Sequence, residues 1–235
     1  MPPNPSFEVK IMEYKAIAID GPSGAGKSTL AKKLAEKLDF IYVDTGAIYR
    51  TVGLAVKRRG LDPGTREQVL PLLPTLKIEL GHGEDGTQRM YLDGEDVTAA
   101  IRDHEISHYA SAVSALPEVR DFLMETQRSL ARSHHVIMDG RDIGTVVLPN
   151  AHLKIFLTAA PEARARRRFL ELQTKGSGES YEQVLADMIR RDHDDSTRKA
   201  APLRQAEDGI LVDTTELDLD GSLDLLLELA KERLG

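Results

Sequence analysis

Residues 21 to 28 read Gly21-Pro22-Ser23-Gly24-Ala25-Gly26-Lys27-Ser28 and satisfy the pattern G-x-x-x-x-G-K-[ST] at every position. Those residue types at that spacing hold polyphosphate. Glycines let the backbone curl so that successive N–H groups converge on phosphate oxygens, and the start of a following helix adds partial positive charge. Lys27 is expected to reach the β- and γ-phosphates, and the Ser28 hydroxyl to help hold Mg²⁺. The nucleotide-holding set is read as Gly21 through Thr29. Asp139, which ends the apolar run "HVIMD", is a second candidate for orienting Mg²⁺ or its waters; the alternative is that it caps the next segment. The chain has no N-K-x-D guanine-reading sequence, which counts against a GTP switch. The motif does not say what accepts the phosphoryl group.

A second concentration of chemistry lies in "EARARRRF", where Arg164, Arg166, Arg167 and Arg168 crowd into five positions of a chain whose formal net charge is −7. Such a cluster is a solvated helix face, a nucleic-acid patch or a clamp on a small polyanion. An acidic chain argues against the second. On a helix Arg164, Arg167 and Arg168 share a face and Arg166 points away. A third pattern competes: His104-Glu105-Ile106-Ser107-His108 matches the zinc-hydrolase sequence H-E-x-x-H. Charged Arg102 and Asp103 precede it, and only Glu118 and Glu125 offer a third ligand, so two exposed helix histidines are the preferred reading. His134 and His135 are adjacent and face opposite sides of a strand, so they do not share a metal.

These groups need elements to position them. "KAIAID" (15–20), "FIYVD" (40–44), "HVIMD" (135–139), "LKIFL" (153–157) and "GILVD" (209–213) are apolar runs, mostly followed by helical patterns. Apolar strands without alternation, interleaved with helices, specify an α/β fold with a parallel sheet covered on both faces. "GPSGAGKSTL" opens a helix through about Leu38. "TGAIYRTVGLAVKRR" is a helix ended by Gly60, and the last helix spans about 221–234. Between about Leu61 and Ala131 the rhythm breaks. "TLKIEL" and "TQRMYLDG" flank the turn-rich "GHGEDG" as an antiparallel hairpin, and two helical segments separated by Pro117 follow. This stretch reads as an inserted lobe.

The 235 residues suit one large domain with such an insert, and 41% hydrophobic with 29% charged residues is ordinary for a soluble protein. No apolar run approaches the ~18 residues of a membrane span. The opening "MPPNPSFEVKIMEYK" lacks the apolar segment of a signal peptide, and residues 1–13 are expected to be a flexible extension. There is no cysteine, hence no disulfide, thiolate zinc site or cysteine nucleophile. A cytoplasmic protein without membrane or nucleic-acid partners is the expectation.

Taken together, "GPSGAGKSTL", "VDTGAIYR", "MDGRDIGTVV", "KIFL", "EARARRRFLELQTKG" and "RRDHDDSTRKAAPL" resemble bacterial cytidylate (CMP) kinases, a family of P-loop nucleoside monophosphate kinases. The likeness runs in order from about Ala16 to the final helix, and "DTGAIYR" and "DGRDIGTVV" are far more specific than the phosphate loop. It implies a three-layer P-loop fold with a five-stranded parallel sheet and transfer of the ATP γ-phosphoryl group to CMP or dCMP, with Mg²⁺ as cofactor. It also implies a monomer. The core would be 14–60 and 132–235, with a lid at about 158–178 and a CMP-binding insert at 61–131. One departure is Ser28, where many relatives carry Gly.

Carried over by position, the resemblance assigns Arg50 and Arg141 to the CMP phosphate, and Thr45 stands where many members have Ser. It assigns Ser111, Arg120 and Asp142 to cytosine, Arg191 and Asp195 to the ribose, and Arg198 to the nucleotide. Asp44 is expected to orient Mg²⁺-bound water or an acceptor-side arginine, or else to cap the following helix. Arg164, Arg167 and Arg168 are expected to meet ATP or the transferring phosphate in the closed state, with Lys27 and Arg141, while Arg166 stays solvated. A carboxylate accepts from cytosine N4, whereas uracil presents a carbonyl there, so Asp142 with Arg120 makes a cytosine-over-uracil filter.

Overall fold

The computed structural model describes residues 14–83, 86–174 and 176–235, so the expectation for residues 1–13 lies outside the described part. The chain opens with β1 (Ala16–Asp20), α1 (Lys27–Leu38), β2 (Ile41–Asp44) and α2 (Thr45–Arg58). A short α3 (Arg66–Val69) and a 3₁₀ stretch (Leu70–Thr75) lead to β3 (Ile78–His82), β4 (Gln88–Leu92) and β5 (Glu95–Asp96). Then come α4 (His104–Ser114), α5 (Pro117–Ser133), β6 (Val136–Gly140), one π-helical turn (Ile143–Val147) and β7 (Leu153–Thr158). The chain closes with α6 (Pro161–Thr174), α7 (Tyr181–Thr197), β8 (Ile210–Asp213) and α8 (Leu219–Leu234).

Five strands form one parallel sheet in the order β2-β6-β1-β7-β8. β1 and β6 are buried at every residue, as central strands covered on both faces must be. One face carries Ile17, Ile19, Leu30, Leu34, Ile155 and Leu226, so α1 and α8 cover it. The other carries Ala18, Val43, Met138, Ile143 and Val147, joined by Met124 and Leu130 of α5.

The phosphate loop leaves β1 through Gly21, whose φ is +151°; a Cβ there would sit 1.9 Å from the Leu157 carbonyl oxygen, so only glycine fits. α2 is capped by Asp44, whose side chain accepts the Ala47 N–H. It is buried on most of its circumference and packs with α4, Val69 and Leu72 in a third apolar cluster. The expected hairpin is β3–β4, in antiparallel register with Ile78 opposite Leu92. β5 adds a two-residue strand that no apolar alternation announces. Pro117 opens α5 at its first position, where its missing N–H costs nothing. α6 and α7 share a small apolar cluster of Ala165, Leu172, Val184 and Met188, and a Ser180/Gln183 capping box starts α7. Among the described residues no helix is long and apolar enough to cross a membrane.

Candidate active site

The C-terminal ends of β1, β2 and β6 open into a cleft of about 550 Å³, the position where open parallel sheets bind ligands. One end is walled by Ser23, Gly24, Gly26, Lys27, Ser28 and Thr29. Lys27 is buried, and its ammonium donates to the Pro22 carbonyl at 2.6 Å. Burial, with the Arg141 charge added, lowers its pKa to about 7. Ser28 Oγ donates to Asp139 Oδ2 at 2.8 Å, and the Tyr42 hydroxyl donates to the other oxygen at 2.9 Å. Burial and the neighbouring Asp44 push the Asp139 carboxyl above its usual range, against Lys27, Ser28 and Tyr42. Thr45 Oγ1 donates to the Asp139 carbonyl at 2.7 Å, pinning the start of α2 to β6.

The opposite wall gathers arginines and their counter-ions. Asp44 takes Arg50 at 2.8 Å and Arg102 at 3.0 Å. Burial would raise its carboxyl, but these two guanidinium groups and the Ala47 N–H hold it low. Arg141 Nε donates to Asp195 at 2.8 Å. Asp195 is also below its usual range despite burial, chiefly because of Arg141. Arg120 and Asp142 form a buried ion pair, each side chain about 5% exposed. Arg198 lies 3.7 Å from both Asp142 and Asp195, and the Arg120 guanidinium sits 5.4 Å above the Tyr49 ring. Burial and the Arg141 charge lower the pKa of Arg191; burial and Arg120 do the same for Arg198. A dianionic ligand would relieve this cation crowding.

The cytidylate kinase family model matches residues 17–232. A cytidylate kinase of Caldicellulosiruptor bescii is 53% identical over 213 residues, covering 91% of this chain and 94% of the relative. The chain belongs to the cytidylate kinase family. A second relative, the cytidylate kinase of Caldicellulosiruptor saccharolyticus, is 51% identical over 219 residues, with 93% and 96% covered. A shikimate kinase from Bacteroides thetaiotaomicron is a distant structural likeness, with TM-score 0.46 and 17% identity over 92% of this chain and 98% of that one.

Within this cytidylate kinase cleft lie Asp44, Thr45, Arg50, Ser111, Arg120, Asp139, Arg141, Asp142, Arg191, Asp195 and Arg198, together with Arg167 and Arg168. Gly21, Pro22 and Ala25 are buried behind it and shape the loop through backbone. Arg164, expected to meet phosphate when the lid closes, is here tied to the phosphate loop and to α7. It is 3% exposed and donates to the Ala159 carbonyl at 2.8 Å and the Ser23 carbonyl at 2.9 Å. It also pairs with Asp192 at 2.7 Å. Helical spacing showed which arginines share a side, but not that the phosphate loop itself lies against Arg164. Arg166 and Arg167 are both exposed, but only Arg167 lines the cleft.

Several residues of the cleft carry no sequence signal. Tyr49 and Arg102 are a single aromatic and a single cation on helical segments, and only the fold brings them beside Arg120 and Asp44. Gln88 of β4 accepts the Asp44 N–H at 2.7 Å and donates to the Asp44 carbonyl at 3.1 Å. His104 and His108 meet edge to face on α4, with ring centroids 5.1 Å apart, and Glu105 pairs with Lys57. Among the described residues no group of three His, Cys, Asp or Glu side chains is placed to hold a metal ion.

Proposed function

We propose that this chain transfers the γ-phosphoryl group of ATP to CMP or dCMP, giving ADP and CDP or dCDP. The observation that carries the reading is one cleft joining a complete phosphate loop to a buried Arg120–Asp142 pair. The attacking group is an oxygen of the CMP phosphate. With a second pKa near ~6 it is already ionised at neutral pH, so no general base is needed. The task is to bring two polyanions together and stabilise dispersed charge, by positioning and fixed cations.

Lys27 takes the β- and γ-phosphates of ATP. Arg50 and Arg141, each oriented by a carboxylate, hold the CMP phosphate. Arg191 and Asp195 bind the ribose, and Arg198 supports both. Ser111, Arg120 and Asp142 read cytosine. Arg167 and Arg168 close on phosphate as part of a lid at about 158–178, while residues 61–131 form the CMP-binding lobe. Arg164 positions the loop through Ser23. Ser28 and Asp139 fit Mg²⁺: it takes a hydroxyl and one or two carboxylates, keeps several waters and needs no closed protein cage. When bound, it supplies charge neutralisation across the β- and γ-phosphates.

An acceptor panel of CMP, dCMP, UMP, AMP and GMP with Mg-ATP tests the reading. Turnover is expected with CMP and dCMP well above the others. ATP consumption that no nucleoside monophosphate stimulates would overturn it.

A further inference from the structure

Asp20 ends β1, the central strand, and is 4% exposed. It lies behind the cleft lining, paired with Gly140 of β6, and both its oxygens are engaged. Oδ1 accepts the Ile143 N–H and Oδ2 accepts the Gly144 N–H, each at 2.7 Å. These two N–H groups begin the π-helical turn Ile143–Val147, and the first N–H groups of any helical turn lack partners within it. Of the two, the Gly144 N–H is the one that Asp142, immediately before the turn, is also placed to accept, since a capping aspartate takes the second or third N–H. Asp142 makes no such bond. Its carboxylate turns instead to Arg120, with Arg198 3.7 Å away.

We infer that Asp20 is a specificity-positioning residue: by capping the turn from the neighbouring strand it releases the Asp142 side chain to face the nucleobase. This deepens the proposed reading of Asp142 as a cytosine reader and rests on it. A carboxylate is required at position 20, because it alone offers an acceptor to both N–H groups; an amide turns a donor toward one of them. The freed N–H then competes with Arg120 for Asp142. The groups facing Asp20 are Lys27 from α1 and Asp142 from the loop after β6, while the Lys154 side chain of β7 packs on Gly144 beside it. Burial raises the Asp20 carboxyl to about 6, against the Gly144 and Ile143 bonds and Lys27, with Asp142 adding to the rise. Acid therefore removes one of its two acceptors.

The experiment compares kcat/KM for CMP and UMP in the wild type, Asp20→Asn, Asp142→Ala and the double variant. Asp20→Asn should lower the CMP/UMP ratio by about tenfold, with KM for ATP within about threefold of wild type. The double variant should discriminate no worse than Asp142→Ala alone. A purely structural Asp20 would reduce both substrates together and leave the ratio unchanged, which overturns the inference. An unchanged ratio in Asp142→Ala removes the cytosine-reader reading instead, so the two failures are separable. Should Asp20→Asn not fold, Asp20→Ser and the wild-type ratio between pH 8 and 5.5 are read together. The CMP and UMP phosphates titrate alike and cancel, so a fall of about threefold toward acid, absent in Asp142→Ala, supports the inference. In Asp20→Ser, which keeps a single acceptor, an unchanged CMP/UMP ratio likewise overturns it.

Discussion

Four arginines within five positions have four different surroundings. Arg164 is buried with three partners, two of them carbonyl oxygens and one the Asp192 carboxylate. Arg167 donates to the Thr214 carbonyl at 2.7 Å, Arg168 pairs with Glu171 at 2.8 Å, and Arg166 is exposed. Removing one member of a buried charged network leaves the others unpaired, so Arg164→Ala should destabilise by about 3 kcal/mol. Arg166→Ala should stay within about 0.5 kcal/mol of wild type with turnover unchanged. Arg167→Ala and Arg168→Ala should keep stability while lowering kcat at least about tenfold. Denaturant titration and steady-state kinetics on the four variants check this; equal effects at all four positions would leave only a charged helix. Lys27 gives a second test. Its pKa of about 7 means that above neutrality it has largely lost its proton, and an incoming polyphosphate favours the charged form. ATP binding at pH 8.5 should take up a proton and at pH 6 should not. Calorimetry in buffers of different ionisation enthalpy reads the difference directly.

Elements were legible to the extent that burial imposes a pattern. The central strands β1, β6 and β7 announce themselves because a strand covered on both faces must be apolar. The edge strands β2 and β8 carry apolar runs although they are only partly covered. The Gly21–Ser28 loop announces itself because few sequences satisfy its backbone geometry. β5 stayed hidden because Glu95 and Asp96 are exposed and polar, and no local rule calls them a strand. The junction between β2 and α2 was half legible. Asp44 was expected either to cap the helix or to orient arginines, and it does both, accepting the Ala47 N–H and pairing with Arg50. What could not be read was Gln88, 44 positions away, holding the Asp44 backbone. Gln88→Ala would leave that N–H and carbonyl unserved in a buried place, a loss of about 1–3 kcal/mol. Because Asp44 orients Arg50, KM for CMP should rise more than KM for ATP. Equal changes in both would show that the junction matters only for stability.

Across the whole molecule, charge is segregated. The chain carries −7 overall, yet the cleft concentrates Arg50, Arg102, Arg120, Arg141, Arg191 and Arg198. Net charge repels nucleotides at long range, while the cleft attracts them within a Debye length of about 8 Å. The local field should dominate, so kcat/KM for CMP is expected to fall as NaCl rises from about 20 to 300 mM at fixed pH. A rise would mean that net charge governs the encounter.

β2 is the outermost strand on its side of the sheet, and outermost strands expose backbone that another chain can pair with. Here three of the outward groups have side-chain partners. Asp44 gives both its N–H and its carbonyl to the Gln88 amide, and the Tyr42 carbonyl lies 3.5 Å from the His82 ring nitrogen. A side-chain amide carries the same donor and acceptor as a peptide unit, so Gln88 stands in for one residue of a missing sixth strand. The contact that holds the Asp44 backbone, and with it the partner of Arg50, therefore also covers part of the sheet's border.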